Sequence, residues 1–122
     1  MSYENLEIYK LAYELALKTH KLTTNFPKHE TYEIGSQLRR AAVSTVLNIA
    51  EGYGRKEHQQ DLKNFLITAV GSCNETTVLI KMVRDLGYIS QEESKEMLNS
   101  YERLGKQTNK FIQAIKNPKS SV

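Results

Sequence analysis

In four stretches of this chain, apolar side chains recur at steps of three and four, and that rhythm leaves little choice of fold. Leu62, Leu66, Ala69, Cys73, Thr76, Ile80 and Val83 keep it through one stretch, and Met97, Tyr101, Leu104, Thr108, Phe111 and Ile115 through another. A mean step of about 3.5 residues is the repeat of near-parallel helices packed knobs-into-holes. Leu38, Ala42, Thr45 and Ile49 mark a third face. Leu11, Leu15 and Leu22, flanked by Ala12 and Thr19, mark a fourth. No stretch alternates with the period of a strand. The pattern predicts an all-α, antiparallel up-down-up-down four-helix bundle.

Local signals set the expected boundaries. Ser2 can cap the first helix, and Asn25-Phe26-Pro27-Lys28 should end it. Gly87 suits a helix C-cap, and Ser90-Gln91-Glu92-Glu93 reads as a capping box opening the last helix. Helices are therefore expected at residues 5–24, 31–54, 58–86 and 90–116 of one domain spanning 1–122. The basic tail 117–122 is expected to fray. A chain of 122 residues buries roughly two-thirds of its unfolded surface, enough for one core and not for two.

Several function classes find no support. The one cysteine, Cys73, permits no internal disulfide and favours a reducing, cytoplasmic setting. The N-terminal MSYENLEIYK lacks the apolar core of a signal peptide, and no apolar run approaches membrane-spanning length. Bundle-core metal sites use Glu-x-x-His, yet no Glu here is followed three residues later by His. His20, His29 and His58 are expected at a helix end, a loop and a helix start. Cys73 lies in an apolar seam and reads as a buried structural thiol. Gly52-Tyr53-Gly54 follows a helix rather than a strand and reads as a turn. Neither cofactor, metal nor catalytic residue is expected.

The second predicted helix carries more apolar surface than one bundle face needs. Val43, Val46, Leu47 and Ala50 make it apolar on further sides, so they are candidate contacts between subunits. One stripe stays polar: Gln37, Arg40, Ser44, Asn48, Glu51 and Arg55, with Ser72 and Glu75 as matching groups on the third helix. Two readings stand. The stripe fixes register through buried bonds across helices or subunits, such as Arg40 to Glu51 or Glu75. Otherwise it lines a polar groove with Arg39, Arg40 and Arg55. Tyr9 and Tyr13 could stack on bases, or pack half-buried.

Charge is unevenly placed. Residues 1–102 hold 12 Lys and Arg against 14 Asp and Glu, a balance of −2. Arg103, Lys106, Lys110, Lys116 and Lys119 follow with no acid, a balance of +5. A basic end can meet phosphate backbones, and cations also favour a helix C-terminus.

Phe26-Pro27-Lys28, Gln37-Leu38-Arg39-Arg40-Ala41-Ala42-Val43-Ser44, Asn48-Ile49-Ala50-Glu51-Gly52, Gly71-Ser72-Cys73-Asn74-Glu75 and Leu86-Gly87-Tyr88-Ile89 occur in that order. Over about residues 5–115 the chain thereby resembles the small four-helix-bundle proteins encoded in intervening sequences of bacterial large-subunit ribosomal RNA genes. The resemblance implies a ring-like homopentamer. It implies that Gln37, Arg40, Ser44, Asn48, Glu51 and Glu75 are signature polar positions, none established as catalytic. Relatives include the strongly basic accessory protein of diversity-generating retroelements, which binds nucleic acid. This chain departs from it in the −2 balance of its body.

The resulting expectation is a non-enzymatic homo-oligomer that associates with ribosomal or retroelement RNA. Arg39, Arg40, Arg55, Lys56, Arg103, Lys106, Lys110, Lys116 and Lys119 are the candidate contacts. The first rival is a scaffold that binds another protein and no nucleic acid, and the second an enzyme with an unrecognised site in the polar stripe.

Overall fold

A computed structural model describes residues 2–115. Lys116, Lys119 and the tail 117–122 lie outside the described residues. A short 3-10 turn, Tyr3–Asn5, precedes α1 (Glu7–Thr23), α2 (Lys28–Thr31), α3 (Ile34–Gly54), α4 (Gln59–Asp85) and α5 (Gln91–Ala114). The four long helices form the bundle, and no strand occurs among the described residues. Each packs on its neighbours in chain order, and α5 closes the ring against α1. The α3–α4 contact is the most extensive and the α1–α5 contact the lightest.

The residues of the three-four rhythm meet at the centre. Leu15, Leu38, Ile49, Leu66, Ile80 and Leu104 are almost wholly buried. Thr19, Thr45, Thr76 and Thr108 join them, and each donates its hydroxyl to the carbonyl four residues earlier. Those bonds let a polar side chain occupy a core position without an orphaned group. Thr19, expected at the flank of its helix, sits at the centre and also bonds the Tyr101 hydroxyl at 2.8 Å.

Helix ends follow local chemistry in most places. Ser2 caps the 3-10 turn rather than α1 itself. Ser90 and Glu93 form the reciprocal capping box of α5. Gly87 takes φ +80, and the Tyr88 and Gly87 amides bond back to Val83 and Arg84 in the C-terminal motif that needs a left-handed residue. The stretch predicted as one helix from residue 31 is divided. Pro27 opens the short α2, which places His29 in a helical turn, and α3 starts only at Ile34. Gly52-Tyr53-Gly54, expected as a turn, is the last turn of α3. A Cβ on Gly52 would stand 2.8 Å from the Phe65 Cβ, so glycine there permits the close approach of α3 and α4.

Candidate functional site

The polar stripe of α3 divides on the structure. Its inner edge faces α4, where the Ser44 and Ser72 hydroxyls bond at 2.8 Å. Asn48 Nδ2 donates to the Ser44 carbonyl at 2.8 Å and to Ser44 Oγ at 3.1 Å. This half-buried cluster ties the two helices and fixes their register. Its outer edge is solvated: Gln37, Arg40, Glu51 and Glu75 are exposed. Within the chain, Arg40 pairs with neither Glu51 nor Glu75. Glu51 instead meets Arg55 one turn on, at 3.4 Å.

Arg39 carries the structural load expected of Arg40. Its guanidinium donates to Thr23 Oγ1 and to the Thr31 carbonyl, each at 2.9 Å, tying α3 to the end of α1 and to α2. Two of its donors are thereby engaged within the chain. Arg55 is likewise occupied, near Glu51 and Asp61 and 5.3 Å from the Phe65 ring centre. The Lys56 ammonium lies 4.8 Å from the Tyr53 ring centre. Arg39 and Arg40 line one groove with Ser44 and Asn48, while Arg55 and Lys56 stand past the end of α3.

On α5 the outcome differs. Arg103, Lys106 and Lys110 are all exposed along one stripe. Arg103 and Lys110 border the groove toward α1, and Lys106 borders the one toward α4. Only Lys106 forms an ion pair among the described residues, with Glu102 at 3.3 Å.

The candidate subunit contacts also separate. Leu47 is 61% exposed, and Val43 and Ala50 are half-buried beside it. Val46, the fourth candidate, is 8% exposed and packs in the core of the bundle. The exposed apolar surface extends beyond α3. Tyr13 and Leu17 of α1 are exposed, on the side of that helix where His20 joins Val43 and Leu47 in one groove. Ile67, Val78 and Met82 are exposed on α4. Sequence reasoning singled out Tyr13 with Tyr9 but missed Leu17, Ile67, Val78 and Met82. The available signal was their place off the three-four seam of otherwise amphipathic helices.

Burial pushes the Cys73 thiol up to about 11, so it stays protonated near neutrality. Among the described residues, no three His, Cys, Asp or Glu side chains gather where an ion could be held. No helix there is long and apolar enough to cross a membrane.

The profile of the 23S rRNA-intervening sequence proteins matches residues 4–110. The chain belongs to this family. A solved structure from Bacteroides thetaiotaomicron, a protein of unknown function from the S23 ribosomal protein family, superposes with a TM-score of 0.80. That match covers 88% of this chain and 96% of the other at 20% identity, so the likeness carries the fold. No curated protein matches closely enough to carry an argument. Neither the family's description nor the superposed structure's name assigns an enzymatic activity.

Proposed function

We propose that this member of the family is a non-catalytic, cytoplasmic homo-oligomer that associates with RNA through α5. One observation carries the reading: large exposed apolar side chains occur on α1, α3 and α4, while α5 exposes none. A bundle with a single outward surface to solvate has no use for Leu17, Leu47, Val78 and Met82 there, and such patches mark interaction sites. A second copy is the occupant the reading takes, and five copies are what the resemblance implies. The α5 face is then left outward, and its C-terminal half presents Arg103, Lys106 and Lys110 with no acid from residue 103 onward.

Light scattering tests the assembly. The expected mass is several times 14.0 kDa, and a monomer at micromolar concentration would refute it. Salt dependence tests the RNA step. Three contacts per subunit predict a slope of log affinity against log salt of roughly −2 for single strands, and a ring multiplies weak contacts. Replacing Arg103, Lys106 and Lys110 with Gln should flatten that slope at unchanged oligomer mass. Wild-type protein that shifts no RNA at about 50 mM salt would leave the scaffold reading instead.

A further inference from the structure

Two exposed apolar faces stand on different sides of the bundle. On α3, Arg40, Val43 and Leu47 follow one another at steps of three and four, and His20 of α1 lines the same groove. Tyr13 and Leu17 extend that face onto α1. On α4, Ile67, Gly71, Glu75, Val78 and Met82 form a single exposed stripe at the same steps. This stripe lies opposite the buried seam of Ala69, Thr76, Ile80 and Val83, so it points away from its own bundle.

The charges on the two faces are complementary. Neither Arg40 nor Glu75 has an ion pair or a side-chain hydrogen bond among the described residues. Their charged neighbours are engaged elsewhere: Glu51 meets Arg55, Asp85 meets Arg84, and Arg39 is tied to Thr23 and Thr31. Lys81 lines the α4–α5 groove. A contact of α3 on α3 gathers two arginines, and one of α4 on α4 gathers two glutamates. Only α3 on α4 brings opposite charges together. The spacing fits as well. Leu47 stands seven residues from Arg40, about 10 Å along the helix. Ile67 stands eight residues before Glu75 and Met82 seven after it, about 10–12 Å away. Whichever way the helices run, a large apolar side chain therefore meets Leu47 when Arg40 meets Glu75. Gly71 sits between Ile67 and Glu75. A Cβ there would meet no atom within 4 Å, so the packing of the subunit does not require glycine. The absent side chain lets a second backbone come close.

We infer that the α4 stripe of one copy seats on the α1–α3 face of the next, with Glu75 paired to Arg40 across the contact, so that subunits join head to tail. The inference rests on the homo-oligomer reading and goes further, because it names the two unlike surfaces that meet. Such a contact closes into a ring or runs on as an open chain, and does not stop at a two-fold dimer.

Variants that block one face at a time test the pairing. Leu47→Glu spoils the α3 face and leaves α4 intact, and Val78→Glu does the converse. Each alone should keep its helicity by circular dichroism and scatter light as a monomer near 14.0 kDa. Mixed in equal amounts, they should form a dimer of twice that mass that grows no further, since each supplies the face the other lacks. A variant that still assembles alone, or a mixture that stays monomeric, would overturn the inference. Charge exchange reads the ion pair, and decides the matter if either variant fails to fold. Arg40→Glu and Glu75→Arg should each weaken assembly by about tenfold or more, and combining them in one chain should restore it. A double variant as weak as the singles would overturn the pairing. A monomeric wild type removes the homo-oligomer reading and this inference together, whereas a wild-type oligomer whose variants fail to complement removes this inference alone.

Discussion

The outward faces of α3 and α5 belong to helices of similar length, yet they are finished for different surroundings. On α3, Leu47 projects from the middle of the helix with Val43 and Ala50 beside it. On α5, the apolar side chains turn inward and charged residues cover the outside. The ends differ too. Ser90 and Glu93 start α5 by local chemistry, whereas no side-chain hydrogen bond caps α3 at Glu33. An amphipathic, capped helix is specified largely by its own residues, while α3 depends on what packs against it.

The largest contrast should come from two adjacent residues of α3. Val46→Glu places a carboxylate inside the subunit core, where an unpaired charge costs several kcal/mol, so circular dichroism should show lost helicity. Leu47→Glu places the same group on the outward face. Its subunit should keep the wild-type spectrum while light scattering reports a fall toward 14.0 kDa. A folded Leu47→Glu protein with wild-type mass would show that this face is not the subunit contact.

Arg39 and Arg40 offer a second, smaller contrast. Arg39→Ala removes two hydrogen bonds from a charged donor to half-buried acceptors, so the loss should be about 1.5–3 kcal/mol. Arg40→Ala should stay within about 0.5 kcal/mol, as exposed substitutions do. Denaturant titrations of both would separate them. Equal losses would mean that Arg39 is not the tie between α3 and the α1–α2 corner.

This pair also marks how far the sequence could be read. Spacing identified Leu38, Ala42, Thr45 and Ile49 as one buried face because burial follows the helical period. It could not say which of two adjacent arginines turns inward. That depends on the Thr31 carbonyl, which the break at Pro27 and the short α2 bring within reach. The α4–α5 groove was hidden for a related reason. Residues 70–81 of α4 and 98–109 of α5 line it, and only helix packing brings those two stretches together.

Capping gives an effect of about 1 kcal/mol. Ser90→Ala should destabilise by that amount, because the Glu93 amide loses its acceptor. Glu33→Ala should cost nearly nothing, since its side chain caps no amide of α3. Thermal melts that moved equally would contradict the idea that α5 is locally specified and α3 is not.

The smallest effect concerns the α5 stripe, where replacing Arg103, Lys106 and Lys110 with Gln should hardly touch stability. Glu102 and Lys106 form an exposed pair one turn apart, worth about 0.3–0.5 kcal/mol. Arg103 and Lys110 have no ion pair among the described residues. Lys110 lies before the last turn of α5, which holds no basic residue, so the helix dipole adds little to it. The summed loss should therefore be on the order of 1 kcal/mol, a few degrees in melting temperature. It should shrink further in molar salt, where screening reaches within about 3 Å. A loss well above 2 kcal/mol, unchanged by salt, would mean that the stripe packs the bundle rather than facing a partner. Within the expected limit, any fall in RNA affinity of the triple variant belongs to the contact itself.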